Sequence, residues 1–178
     1  MRALATHRLQ LEPQRAVHAE QMFALLQDPA LYRFENEAPR SVERLRERFA
    51  RLESRASGDG CEAWLNWVVS LPRTGLIGFI QATVRRDGSA AVAYVFGSAY
   101  WGRGYAFEAV QAMLHELEDR WAVRHCRAVL KRDNARSVRL LTRLGFAQAP
   151  HDASTEDIED GEVLMLRDIA ASHPPDCR

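Results

Sequence analysis

Tyr100-Trp101-Gly102-Arg103-Gly104-Tyr105-Ala106 stands between a strand-like run ending at Phe96 and a helix-like run beginning at Ala106, and its reading decides the fold. Backbone N–H groups at the start of a helix have no intrahelical partner, and glycines let a ligand approach them closely. The segment is therefore either an ordinary strand-to-helix turn or a cradle for a pyrophosphate. It lacks the Gly-Lys-Ser/Thr ending of a P-loop. It also lacks the third glycine and the upstream position of a dinucleotide fingerprint.

Downstream, Ala106, Ala109, Val110, Met113, Leu114, Leu117 and Trp121 form one apolar helical stripe. Cys126 to Leu130 reads as a short strand. Asn134 to Leu144 is helical again, with Ser137, Leu140, Leu141 and Leu144 on one side and Gly145 as C-cap. Phe146 to Ala149 and Glu162 to Leu166 read as a last pair of strands around a polar loop, and Arg167 to Arg178 as a tail. Upstream, Ala63 to Leu71, Gly75 to Arg85 and Ser89 to Phe96 are rich in β-branched and aromatic residues and separated by turn sequences, so they read as consecutive antiparallel strands. A strand from Thr6 to Glu12, a helix from Ala16 to Gln27 and a second helix after an N-cap at Ser41 precede them. The order is strand, two helices, three strands, helix, strand, helix, two strands. It predicts an α/β domain, with a mixed, mostly antiparallel sheet of about seven strands and about four helices on its two faces. The domain is expected over residues 1–166, with a C-terminal tail over 167–178.

The 178 residues suit a single domain, and 24 Lys plus Arg against 24 Asp plus Glu leave no net charge, which argues against broad nucleic-acid or membrane binding. No apolar run is long enough to span a bilayer and the N-terminus lacks a signal-peptide pattern, so a cytoplasmic location is expected. Cys61, Cys126 and Cys177 match no zinc spacing or disulfide framework and read as free thiols; the six histidines occur singly, and no metal is expected. The balance is uneven along the chain. Residues 1–100 carry 13 basic and 11 acidic side chains, residues 101–147 nine and five, and residues 148–178 two and eight.

A second segment, Arg132-Asp133-Asn134-Ala135-Arg136-Ser137-Val138-Arg139-Leu140-Leu141-Thr142-Arg143-Leu144-Gly145-Phe146, joins the first. Together they resemble the GNAT superfamily of N-acetyltransferases, and within it the branch of the ribosomal-protein N-terminal (serine/alanine) acetyltransferases. That branch carries Tyr-Trp-Gly-x-Gly-Tyr-Ala-x-Glu-Ala, matched here up to Ala109, and Asn-x-x-Ser-x-x-Leu followed by Gly-Phe, matched at Asn134, Ser137, Leu140, Gly145 and Phe146.

The resemblance implies a GNAT-like fold with acetyl-CoA as cofactor. It places the pyrophosphate on the amides of Trp101, Gly102, Arg103, Gly104, Tyr105 and Ala106, and the pantetheine arm between the fourth and fifth strands, splayed apart. A bulge near Val95 and Phe96 is implied to present main-chain groups to the thioester. Asn134 is implied to hydrogen-bond the pantetheine arm, where it also suits a helix N-cap, and Ser137 to lie near the sulfur. The reaction implied is direct attack by a primary amine, with a backbone N–H near Phe96 stabilising the oxyanion. The acceptor implied is a peptide N-terminus or a small-molecule amine.

Two departures bear on mechanism. Ala99 stands where the family often has Gln or Arg, so a side-chain contact to the phosphates is missing. Leu141 stands where many members carry a tyrosine that protonates the leaving thiolate, which leaves Ser137, a water or no acid. These departures also suit a non-catalytic CoA-binding or protein-interaction module on the same scaffold. Candidate bases are Glu62, Glu35, Glu37 and Glu156, with Glu156 favoured because the last hairpin borders the acceptor site in the family. Glu108 reads as structural, and Trp64, Trp67 and Phe79 as core or acceptor pocket. Some of the bases among Arg124, Arg127, Lys131, Arg132, Arg136, Arg139 and Arg143 are expected to meet the adenosine phosphates. The acidic loop Asp152 to Glu162 is expected to draw a cationic amine, and edge strands make a homodimer plausible.

Overall fold

A computed structural model describes residues 1–34, 37–150 and 158–169. Among them are four α-helices and an open sheet of eight strands in the order β1-β2-β3-β4-β5-β6-β8-β7. The strands are β1 (Leu4–Ala5), β2 (Gln10–Pro13), β3 (Glu62–Leu71), β4 (Gly75–Arg85), β5 (Ser89–Phe96), β6 (His125–Lys131), β7 (Ala147–Gln148) and β8 (Glu162–Asp168). The helices are α1 (Ala19–Leu25), α2 (Val42–Leu52), α3 (Tyr105–Trp121) and α4 (Ala135–Arg143). This is the expected α/β arrangement, a mixed, mostly antiparallel sheet with four helices, with one strand more than expected.

The eighth strand is an N-terminal one that the sequence reading merges with its neighbour. Thr6 Oγ1 accepts the Leu9 N–H at 2.9 Å and Thr6 N–H donates to Leu9 O at 3.0 Å, so the expected Thr6–Glu12 strand breaks into a tight turn. Leu4 then folds back to pair with Leu11. The first helix is shorter than expected, because Ala16–His18 forms a 3₁₀ turn before α1. The last strand runs two residues past the expected Leu166, and Ile169 behind it is buried.

Alternation along β3 separates two cores. Leu65, Trp67 and Val69 join the large cluster that contains Val110, Met113 and Leu117 of α3 and Leu141 of α4. Val68 points to the opposite face, where it packs with Ala19, Met22, Leu45 and Phe49 of α1 and α2. Trp67 is fully buried and its indole N–H donates to Arg2 O at 2.8 Å, and Phe79 packs beside α1 and α2. Trp64 donates its indole N–H to Glu62 at 3.2 Å. Trp67 and Phe79 are core residues, and none of the three lines the cleft described next.

Candidate functional site

The sheet opens where β5 meets β6. Their parallel pairing covers only Ser89, Ala90 and Ala91, opposite His125, Cys126 and Arg127; beyond these the strands diverge while β5 stays paired to β4 as far as Phe96. The gap forms a cleft of about 390 Å³ bordered by the end of β5, the loop into α3 and one face of α4.

The expected bulge at Val95 and Phe96 is absent. Pairing from Gly78↔Phe96 to Val84↔Ala90 is continuous, and the register shift lies one strand away, between Val69 and Ser70 where β3 meets β4. Divergence of β6, rather than a kink in β5, frees the main chain. Gly97 N–H donates to Ile77 O on β4 at 3.1 Å, so alternation along β5 turns the main-chain groups of Phe96 toward the gap. The Phe96 carbonyl is taken by the Trp101 indole N–H at 2.7 Å, which leaves the Phe96 N–H as the donor at this point of the cleft.

The loop into α3 has the backbone of a cradle. Gly102 (φ 75°) and Gly104 (φ 79°) both adopt left-handed conformations, and a Cβ on Gly102 would stand in open space. Gly104 is the N-cap of α3 and offers no side-chain acceptor to the first-turn amides. These amides therefore remain available to an anion at the positive end of a helix of 17 residues. Trp101, Gly102, Gly104, Tyr105 and Ala106 line the cleft; Arg103 does not, and its carbonyl accepts from Arg8 Nη1 at 3.0 Å.

Across the gap, Asn134 caps α4, its Oδ1 accepting the Ser137 N–H at 3.2 Å. Both residues line the cleft, as do Val95 and Phe96. Leu141 faces away into the core with 1% exposure, so the position that holds a tyrosine in many relatives has no access to the gap here.

Three arginines of the basic run reach the cleft. Arg136, Arg139 and Arg143 fall at spacings of three and four and so share the α4 face that lines it. Arg136 lies over the Trp101 ring at 4.3 Å and Arg143 over Phe107 at 4.5 Å, joining α4 to the loop and to the start of α3. The i, i+3, i+7 spacing occurs twice in the run, at Arg124, Arg127 and Lys131 and again here, and only the second set falls in the helix expected from Asn134 to Leu144. Lys131 is engaged elsewhere, 2.9 Å from Glu162 and 3.4 Å from Glu159, and its hydrogen bond from the ammonium to Glu162 raises its pKa.

At the far end, Leu31 and Phe34 from the segment after α1 line the cleft together with Tyr94 and Tyr100. Asp28, which reads in sequence only as a helix stop, fixes that segment: its carboxylate accepts Ser98 N–H at 2.9 Å and Ala30 N–H at 3.0 Å. Hydrogen bonds from Ser98 hold the Asp28 carboxyl below the usual carboxylate range.

The candidate bases do not converge. Glu62 pairs with Arg85 and sits at the opposite end of the sheet, about 20 Å of strand from Phe96. Glu37 is exposed and 3.7 Å from Arg40. Glu35 and Glu156 lie outside the described residues, as does most of the acidic loop. In the described part of that loop, Glu159 and Glu162 are occupied, pairing with Lys131. No carboxylate lines the cleft among the described residues, and no group of metal-ligating side chains occurs among them. No described helix is long and apolar enough to cross a membrane.

Apolar walls, an uncapped helix start and three guanidinium groups fit a long ligand with an anionic, phosphorylated end and a neutral arm, as acetyl-CoA is. Residues 8–147 match the family model described as "Acetyltransferase (GNAT) domain". No curated protein sequence matches the chain. Among solved structures, a protein from Bordetella pertussis described as a GNAT-family acetyltransferase is 28% identical, with TM-score 0.70, 94% of this chain and 99% of that one covered. The ribosomal L7/L12 α-N-protein acetyltransferase RimL, solved with coenzyme A, is 16% identical at TM-score 0.78, covering 94% and 98%. The ribosomal-protein-S5-alanine acetyltransferase of Vibrio fischeri is 16% identical at TM-score 0.77, covering 97% and 99%. With its sheet parted beside an unblocked helix start and the family's model matched over most of its length, the chain belongs to the GNAT acetyltransferases, which use acetyl-CoA and act on an amine acceptor.

Proposed function

We propose that the protein moves the acetyl group of acetyl-CoA onto a primary amine, at a peptide N-terminus or on a small molecule, by direct attack of the amine. The observation that carries this reading is the juxtaposition in one cleft of the bare α3 N-terminus and the free Phe96 N–H on the open edge of β5.

When bound, acetyl-CoA supplies a thioester carbonyl that a nitrogen nucleophile can attack. The amides from Gly102 to Ala106, with Arg136, Arg139 and Arg143, suit its phosphates, while the expected Trp101 N–H is taken by Ser98 O at 3.1 Å; Asn134 and Val95 suit its arm. The Phe96 N–H faces the gap as a preorganised donor for charge developing on a carbonyl oxygen. Trp101 supports this role by occupying the Phe96 carbonyl, which otherwise presents a repelling oxygen at the same place. Ser137, half-buried at the first turn of α4 and lining the cleft, is the hydroxyl we assign to protonate a leaving thiolate, since Leu141 is sealed in the core.

The attacking amine must be neutral, and a primary amine is mostly protonated at pH 7. Glu156 is the base we assign to accept its proton, directly or through water. Leu31, Phe34 and Tyr100 give the acceptor end an apolar wall. Names of two fold neighbours make ribosomal-protein N-terminal peptides the first acceptors to assay.

Incubation with acetyl-CoA and a panel of peptide and small-molecule amines is expected to release CoA thiol and yield the acetylated amine. Release that is independent of every amine would overturn the reading. Glu156→Gln is expected to lower kcat at neutral pH, with recovery as the pH approaches the amine's own pKa, and to leave the KM for acetyl-CoA unchanged.

A further inference from the structure

We propose that Arg8, in the turn between β1 and β2, is a positioning residue that holds the Trp101–Ala106 loop in its binding shape from outside the cleft. The proposal rests on the acetyl-CoA reading of that cleft.

Trp101 is tied at the start of the loop to Phe96 O, Ser98 O and the Arg136 guanidinium, but the turn from Gly102 to Gly104 has no such tie of its own. Its two left-handed glycines are the most flexible residue type, and its helix has no side-chain cap. A loop ordered only on binding loses affinity to the entropy of ordering it. Arg8 supplies the order from almost a hundred residues away. Its Nη1 donates to Arg103 O at 3.0 Å and its Nε to Glu108 Oε2 at 2.6 Å. Its backbone N–H donates to Glu108 Oε1 at 2.9 Å, and its guanidinium lies over the Tyr105 ring at 4.6 Å. Nη2 sits 3.4 Å from where a Cβ on Gly104 would be. Thr6 Oγ1 completes the bracket, donating to Glu108 Oε1 at 2.5 Å.

One planar fork thus fixes a carbonyl inside the loop, a ring at its end and a carboxylate one turn into α3. Only a guanidinium meets all three together, since an ammonium lacks both the fork and the stacking face. Ala99 brings no polar side chain to the phosphates, so on the loop side of the cleft the amides meet that end of the ligand and their placement matters more.

The same N-terminal segment provides its own control. Arg2 pairs with Glu116 of α3 at 2.7 Å, two turns beyond Glu108. Its loss strips a buried carboxylate of its partner and so lowers stability without reaching the cradle.

The test is an NMR titration of wild type, Arg8→Ala, Arg8→Lys and Arg2→Ala with CoA and with pantetheine, which lacks the diphosphate. Arg8→Ala is expected to raise the Kd for CoA about tenfold or more, and Arg8→Lys to raise it less. Pantetheine affinity is expected to stay unchanged in both. Arg2→Ala is expected to lower the Tm and leave both affinities alone. Equal loss for CoA and pantetheine, wild-type CoA affinity in Arg8→Ala, or an equal CoA loss in Arg2→Ala would overturn the proposal. Wild-type protein that binds neither compound would instead remove the acetyl-CoA reading beneath it.

Discussion

Two glycines separate what holds the protein together from what lets it bind. A Cβ on Gly78 would overlap the Val95 carbonyl oxygen and the Phe96 ring, since β5 crosses β4 closely at that pair. Gly78→Ala is expected to cost about 2 kcal/mol in urea unfolding. Gly102 meets nothing within 4 Å, and a side chain there pays only for its positive φ. Gly102→Val is expected to cost about 1 kcal/mol, the usual size of such strain, while abolishing CoA binding in calorimetry. Leu141 gives a third contrast. A tyrosine placed there does not restore an acid, because the site is sealed in the core. Leu141→Tyr is expected to lose about 2 kcal/mol from overpacking and to show no rise in kcat. The sequence shows that no tyrosine stands here; burial shows that the position does not reach the cleft.

Among the elements, those with a strong period were the legible ones. Strands Gly75–Arg85 and Ser89–Phe96 lie where alternation and turn residues place them, and Ser41 caps α2 by accepting Arg44 N–H. Asn134 caps α4 as its residue type suggests. The first turn was hidden because a threonine side chain, not a glycine or proline, makes it. The position of the bulge was hidden as well, since register depends on which strand diverges and not on local composition.

The tie between the first hairpin and α3 brings a pH signature. Burial pushes the Glu108 carboxyl up, but hydrogen bonds from Thr6 and Arg8 and the Arg8 charge outweigh it and leave it below the ordinary glutamate value. A carboxyl depressed in the folded state stabilises above its unfolded pKa, and that stability disappears as pH falls through the folded one. Urea unfolding is therefore expected to weaken below about pH 4.5, with a shallower loss in Glu108→Gln.

Across the whole molecule, zero net charge covers a division by segment. Three arginines of the positive stretch face the cleft, while Lys131 of the same stretch draws in Glu159 and Glu162 from the acidic one. Part of that acidic segment thus serves the sheet edge and leaves only its remainder to act on an incoming amine. The thiols follow the same separation of surface and interior. Cys126 is buried and pushed up to about 11 by desolvation, so it is expected to resist alkylation in native protein while exposed Cys61 reacts, a difference that peptide mass mapping after alkylation would check.

The central claim is that one cleft binds acetyl-CoA and hands its acetyl group to an amine. A coupled measurement of CoA thiol release and of acetylated amine, with purified protein and a panel of N-terminal peptides and small amines, tests it most directly. The account predicts equal amounts of both products for at least one amine, and neither product with Gly102→Val. Thermal stabilisation by acetyl-CoA with no thiol release for any amine would contradict it.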